Sequence, residues 1–150
     1  MKNIFDKTIC EEVIIRINKL DNTSIPKWGK MNVAQMLSHC NVTYELTYEN
    51  KVPKPNWLKK VLLKAFVKPI VVGEKEYKRN SPTAPEFKIS GVKDFDIEKE
   101  RLIKHINQTQ EKGASFFEGK ENHSFGVLTS TEWNNMFYKH LDHHLNQFNV

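Results

Sequence analysis

This 150-residue chain has little of what staples or anchors a protein by special means. Its two cysteines, Cys10 and Cys40, cannot supply a disulfide framework. No CxxC pair is present, which excludes a thiolate zinc cluster, so any metal must rest on histidine and carboxylate. No apolar run approaches the roughly 18 residues that a membrane span needs. The opening residues, MKNIFDKTICEE, turn acidic where a secretory signal would carry its apolar core. Internal repeats and low-complexity tracts are missing as well. These absences point to a cytoplasmic protein, folded as a single domain over residues 1–150.

Net positive charge is confined to one segment. Residues 51–79 hold nine Lys/Arg against Glu74 and Glu76, a net +7, so the rest of the chain carries −2 of the total +5. Nucleic acid is not an expected partner, because the charge is modest and no readout motif accompanies it.

What the chain does have is helical periodicity. Phe5, Ile9, Val13, Ile17 and Leu20 form an apolar stripe over residues 5–20. After a loop with Pro26 and Gly29, Asn32 and Gln35 make a capping-box start to a second helix running to about Asn50. Pro53 and Pro55 open a variable stretch, 51–93, with a short amphipathic helix, WLKKVLLKAFVK, at 57–68 that Pro69 should end. A third long helix covers about 95–111, with Gly113 as its stop. A loop over 113–128 leads to the capping box Thr129/Glu132 and a fourth helix, 130–148. The predicted fold is all-α: a four-helix bundle with a long crossover between helices 2 and 3 that carries a short extra helix. The links 1–2 and 3–4 suit antiparallel neighbours. The long crossover lets helices 2 and 3 run parallel, leaving helices 2 and 4 antiparallel.

The last helix contains YKHLDHHLNQF, three of the chain's six histidines within five positions. At 100° per residue, His140 and His144 fall with Trp133, Phe137 and Phe148 inside an arc of about 80°. They therefore lie within the apolar stripe, with His143 at its edge and Asn135, Lys139, Asp142 and Asn146 on the opposite face. In the second helix, His39 belongs to the core-facing row Met36, His39, Thr43, Leu46. Antiparallel packing would bring His39 to the depth of His140 and His144. Histidines at i and i+4 can converge on one ion. A third from a facing helix completes a His₃ set with an open position, able to acidify a bound water or thiol or to polarise a carbonyl. The same spacing also serves a hydrogen-bonded polar core.

The stretches WGKMNVAQMLSHC (28–40) and SFGVLTSTEWNNMFYKHLDHHLNQF (124–148) resemble the DinB-like superfamily, in particular an uncharacterised branch with WGKM, QMLxH and KHLDHHLxQF signatures. The resemblance implies a four-helix bundle with a long 2–3 crossover. It implies a divalent metal, zinc or nickel, on His39, His140 and His144, with His143 not a ligand. It further implies a small-molecule substrate, thiol-dependent transfer with a low-molecular-weight thiol or metal-dependent hydrolysis, and homodimers.

The remaining features receive plainer readings. Gln147 flanks the histidine stripe as a hydrogen-bonding partner for it. Asp142 points away, and no catalytic base is assigned. His123 reads as an exposed loop residue and His105 as surface or bundle edge. Trp28 and Trp133 read as core anchors, Cys10 and Cys40 as buried thiols. The helix at 57–68 reads as a lid with its apolar face on the bundle and its lysines solvated. Attachment to a membrane surface or to an anionic cosubstrate is the less favoured reading of those lysines. A metal-free pocket that holds a small molecule without turnover is the alternative to an enzyme.

Overall fold

The computed structural model describes residues 1–49 and 55–150. The expected end of the second helix at Asn50, and Lys51, Pro53 and Lys54 of the basic stretch, lie outside the described residues. Four long helices carry the fold: α1 (Lys7–Asn18), α2 (Val33–Tyr48), α5 (Phe95–Phe117) and α6 (Ser130–Gln147). Two short ones, α3 (Trp57–Leu62) and α4 (Lys68–Val72), lie in the crossover. Both capping boxes form: Asn32 with Gln35 starts α2, and Thr129 with Glu132 starts α6. Each satisfies two backbone N–H groups that a helix start leaves unpaired.

Contacts run in opposite order along α2 and α6. His39 meets His144, Thr43 meets His140 and Tyr44 stacks on Phe137, so the pair is antiparallel. Along α2 and α5 they run in the same order, from Asn41–Glu98 through Tyr44–His105 to Tyr48–Thr109, so this pair is parallel. Both match the topology expected from the long crossover. Helix α1 differs from its expected place beside α2. It packs chiefly on α5 and α6, the same two helices that α2 packs on.

Three local departures have clear causes. Gly113 does break α5, with φ 68° and ψ 170°, but one further turn follows to Phe117. That turn places Phe117 in the core against Phe5, Trp133 and Phe137, and burial of the ring outweighs the interruption. The expected loop over 113–128 also contains a small antiparallel hairpin, β1 (Glu121–Asn122) with β2 (Gly126–Val127). Pro69 does not end the crossover helix. A π-helical turn at Leu63–Val67 precedes it, and Pro69 stands in the first turn of α4, where its missing N–H costs nothing.

The α2–α5 seam is polar as well as apolar. Asn41 is fully buried and donates to the Glu98 carbonyl (3.0 Å) and carboxylate (2.9 Å), while its Oδ1 meets His105 Nδ1 at 2.9 Å. Arg101 bridges Glu98 and Glu45 beside it. His105 is therefore buried in this seam and stacked on Tyr44, not on the surface as its Lys104 neighbour suggested. Replacing Asn41 by Ala strands Glu98 and His105, its partners on α5. We expect a loss of about 3 kcal/mol in urea-denaturation stability. A loss under about 0.5 kcal/mol would show that the seam does not depend on it.

Candidate metal centre

Helix α6 presents His140 and His144 one turn apart, and α2 presents His39 opposite them. Their ring centroids lie 4.6–4.9 Å from one another. One ligand nitrogen from each falls within 4.8 Å of the others, so the cluster could hold a metal ion. His39 and His144 are buried and His140 is partly so. Among the described residues, no carboxylate or thiol joins the cluster.

The outer nitrogens decide which atoms face inward. His39 Nδ1 lies 2.8 Å from the Phe87 carbonyl, which only accepts, so this nitrogen carries a proton. Gln147 Nε2 donates to the Trp28 carbonyl at 2.6 Å, which fixes Gln147 Oε1 as the acceptor for His144 Nδ1–H at 2.8 Å. Two neutral rings thus turn bare Nε2 lone pairs into the cluster. His140 Nδ1 lies 3.0 Å from Thr43 Oγ1, a group that donates or accepts. Its Nε2 stands 2.9 Å from His39 Nε2. With the proton on Nε2, His140 donates to His39 and the cluster closes on itself. With the proton on Nδ1, bonded to Thr43, all three Nε2 atoms offer lone pairs to an ion at no change of net charge. Metal-ligating histidines commonly donate their second ring nitrogen in this way.

Burial, then the neighbouring imidazoles, holds the His140 pKa well below the usual histidine range. Burial pushes His144 down to about 3 and lowers His39 as well. The triad is therefore uncharged at neutral pH, as ligand histidines must be.

The surrounding wall comes largely from the crossover. The Tyr77 ring stands edge-on to His140 and His143, and Phe87 edge-on to His39 and His140. Lys139 anchors this wall. Expected on the solvent face of α6, it is instead buried beneath α4, donating to the Ile70 carbonyl at 2.8 Å and to the Gly73 carbonyl. Asn135 does the same for the Val72 carbonyl at 2.9 Å. Both satisfy carbonyls at the open end of α4. Desolvation lowers the Lys139 pKa to about 8.

Other sequence-based site residues sort clearly. His143 lies beside the triad, edge-on to His144 and Trp28. Gln147 holds His144 as expected. Asp142 points away, onto Arg16 at 2.6 Å. Trp133 is a core anchor, whereas Trp28 is only half-buried and packs under the Arg79 guanidinium, because its loop must reach Gln147. His123 is half-buried on the hairpin turn against Ser124, not a fully exposed loop residue, and both cysteines are buried. Sequence reasoning missed Thr43 and Phe87. Thr43 stood in the core-facing row with His39 and could have been found there. Phe87 acts through its backbone carbonyl, which no side-chain pattern reveals.

A family model described as a protein of unknown function, DUF1569, matches residues 4–150. The chain belongs to the DUF1569 family. No curated protein and no solved structure matches it. For this DUF1569 chain the site must therefore be judged by its own geometry. No described helix is long and apolar enough to cross a membrane.

The protonation argument gives a sign. Unfolded, the three imidazoles titrate near pH 6.5, whereas folded they resist protonation to well below that. Their contribution to stability is complete above pH about 6.5 and is lost as pH falls toward 3. Thermal melts in chelator should show the midpoint falling steadily below pH 6.5, with the His140 and His144 proton resonances unshifted until unfolding. Free titration of either ring near pH 6.5 would contradict this.

Proposed function

We propose that His39, His140 and His144 bind one divalent ion, zinc or nickel, through their Nε2 atoms, and that the chain is a cytoplasmic metal-dependent enzyme acting on a small molecule. The observation that carries this reading is the commitment of every outer ring nitrogen to a fixed partner, which leaves three inner nitrogens convergent. We further propose that the family is a branch of the DinB-like superfamily, a reading that the crossover topology and the origin of the histidines in α2 and α6 support. That placement favours transfer to or from a low-molecular-weight thiol, or hydrolysis.

A bound divalent ion would supply Lewis acidity to a thiol, water or carbonyl. The chain's own residues do the rest. Phe87, Thr43 and Gln147 hold the three rings in orientation, and Phe87 and Gln147 set the tautomers of His39 and His144. Tyr77 and Phe87 limit water around His140. Among the described residues no carboxylate stands in the cluster, so the chain places no carboxylate base there.

A second reading has its own support: the 2.9 Å contact between His140 and His39 can be a hydrogen bond between two neutral rings. The cluster would then be a satisfied polar core beside a non-catalytic ligand pocket.

Metal content distinguishes them. Tag-free protein should carry about one equivalent of divalent metal by mass spectrometry, and His140→Ala and His144→Ala should each abolish it. Protein that stays metal-free after incubation with zinc or nickel would favour the second reading. Gly29 offers a subtler check. An added Cβ would meet Gln147 Nε2 at 2.7 Å on a backbone with φ +82°. Gly29→Ala and Gln147→Ala should therefore weaken metal affinity about 10–100-fold without replacing a ligand. Unchanged affinity in both would show that Gln147 does not orient His144.

A further inference from the structure

The crossover helix is turned the opposite way from an ordinary surface helix. Its lysines reach back toward the protein, with Lys60 and Lys68 partly buried and Lys59 and Lys64 still exposed. Lys59 pairs with Glu86 at 2.9 Å, Lys60 with Glu121 at 2.8 Å and Lys68 with Glu132 at 2.8 Å. Lys64 lies over Gly126 of the hairpin. Three separate pieces of the chain, the turn at Glu86, the β1–β2 hairpin and α6, thus hold one face of the helix. The other face is apolar and open: Trp57 is 76% exposed, Leu58 54%, Val61 53%, Leu62 51%, Phe66 69% and Ile70 62%. This overturns the expectation that the apolar face packs on the bundle. The physical reason is that Leu63, Val67 and Val71 already supply the inward apolar contacts. The acidic partners on the body then draw the lysine side inward.

The π-helical turn keeps this face in line. Residues 58, 62, 66 and 70 are each four apart, and in an α-helix such a row drifts by about 40° per step. The wider turn at Leu63–Val67 winds less per residue and takes up part of that drift. At roughly 200 Å² per large side chain, the six residues expose on the order of 700 Å². That exceeds the largest apolar patch of an ordinary monomer, about 300–600 Å².

We propose that this face, Trp57 to Ile70, is the self-association surface of the protein, and that a second copy of the same chain covers it through a two-fold axis near Leu62 and Phe66. Two such faces would bury on the order of 1,400 Å² in total, the size of a standard stable interface. A two-fold contact sets the same patch against itself, which an apolar face permits. The charge arrangement selects this occupant over a lipid surface. A helix that inserts into an anionic bilayer needs lysines free to reach headgroups. Here Lys59, Lys60 and Lys68 are each paired with a carboxylate of the same chain. The same pairing lets two strongly basic segments approach each other.

The test is sedimentation of the full-length, tag-free protein across the micromolar range. Wild type should be a dimer, and the Phe66→Glu/Ile70→Glu double variant should weaken dimerisation at least about 100-fold. Both side chains are exposed, so its circular-dichroism melt should match wild type. As an independent check, Leu62→Cys should form a disulfide between copies on mild oxidation, because Cys10 and Cys40 are buried. A wild type that stays monomeric at the highest concentration would overturn the proposal. So would a double variant that dimerises as tightly as wild type. Monomer that co-sediments with phosphatidylserine-containing vesicles would overturn it in favour of a lipid surface.

Discussion

Three hydrogen bonds on the outer side of three imidazoles govern the rest of this site. A histidine ring presents two nitrogens, and the group that holds one decides what the other can do. The Phe87 carbonyl, Gln147 Oε1 and Thr43 Oγ1 each take an outer nitrogen, and the inner ones are left to converge. These partners come from three separate places: a short turn in the crossover, the end of α6 and the facing side of α2. Two of these places are in turn secured, Gln147 by the Trp28 carbonyl and the crossover by Lys139 and Asn135 of α6, which bond carbonyls of α4. The bundle brings the histidines together, and the loops set their chemistry.

The crossover is therefore part of the site. It supplies Phe87 and Tyr77 as wall and Phe87 as hydrogen-bond acceptor, and its helical portion is pinned by ion pairs to Glu86, Glu121 and Glu132. Partly exposed ion pairs contribute little stability individually. Their effect here is directional: together they settle which face of the helix meets the body, and an apolar strip is left outside.

Much of this was legible in the sequence. The long helices and both capping boxes followed from periodicity and from the Asn32/Gln35 and Thr129/Glu132 pairs. The histidine cluster followed from placing His140 and His144 on the apolar stripe of α6 and His39 on the core row of α2. Gln147 was legible because it flanks that stripe. Lys139, Asn135 and His105 were misplaced because a helical wheel assigns polar residues to solvent, whereas these three cap α4 or complete a buried seam. The break at Gly113 was legible, but the extra turn to Phe117 was not, since only the Phe5, Trp133 and Phe137 rings make it worthwhile.

The sequence by itself determined the helices, their order and the three inward histidines, because 3.6-residue periodicity and end-capping act within a few residues along the chain. Tertiary structure alone decided the tautomers of His39 and His144, the burial of Lys139 and the outward apolar face of the crossover helix. Those outcomes depend on partners far away in the chain, such as a carbonyl at Phe87 for His39 and carboxylates at Glu121 and Glu132 for Lys60 and Lys68. No local pattern specifies a partner that only folding brings within hydrogen-bond reach.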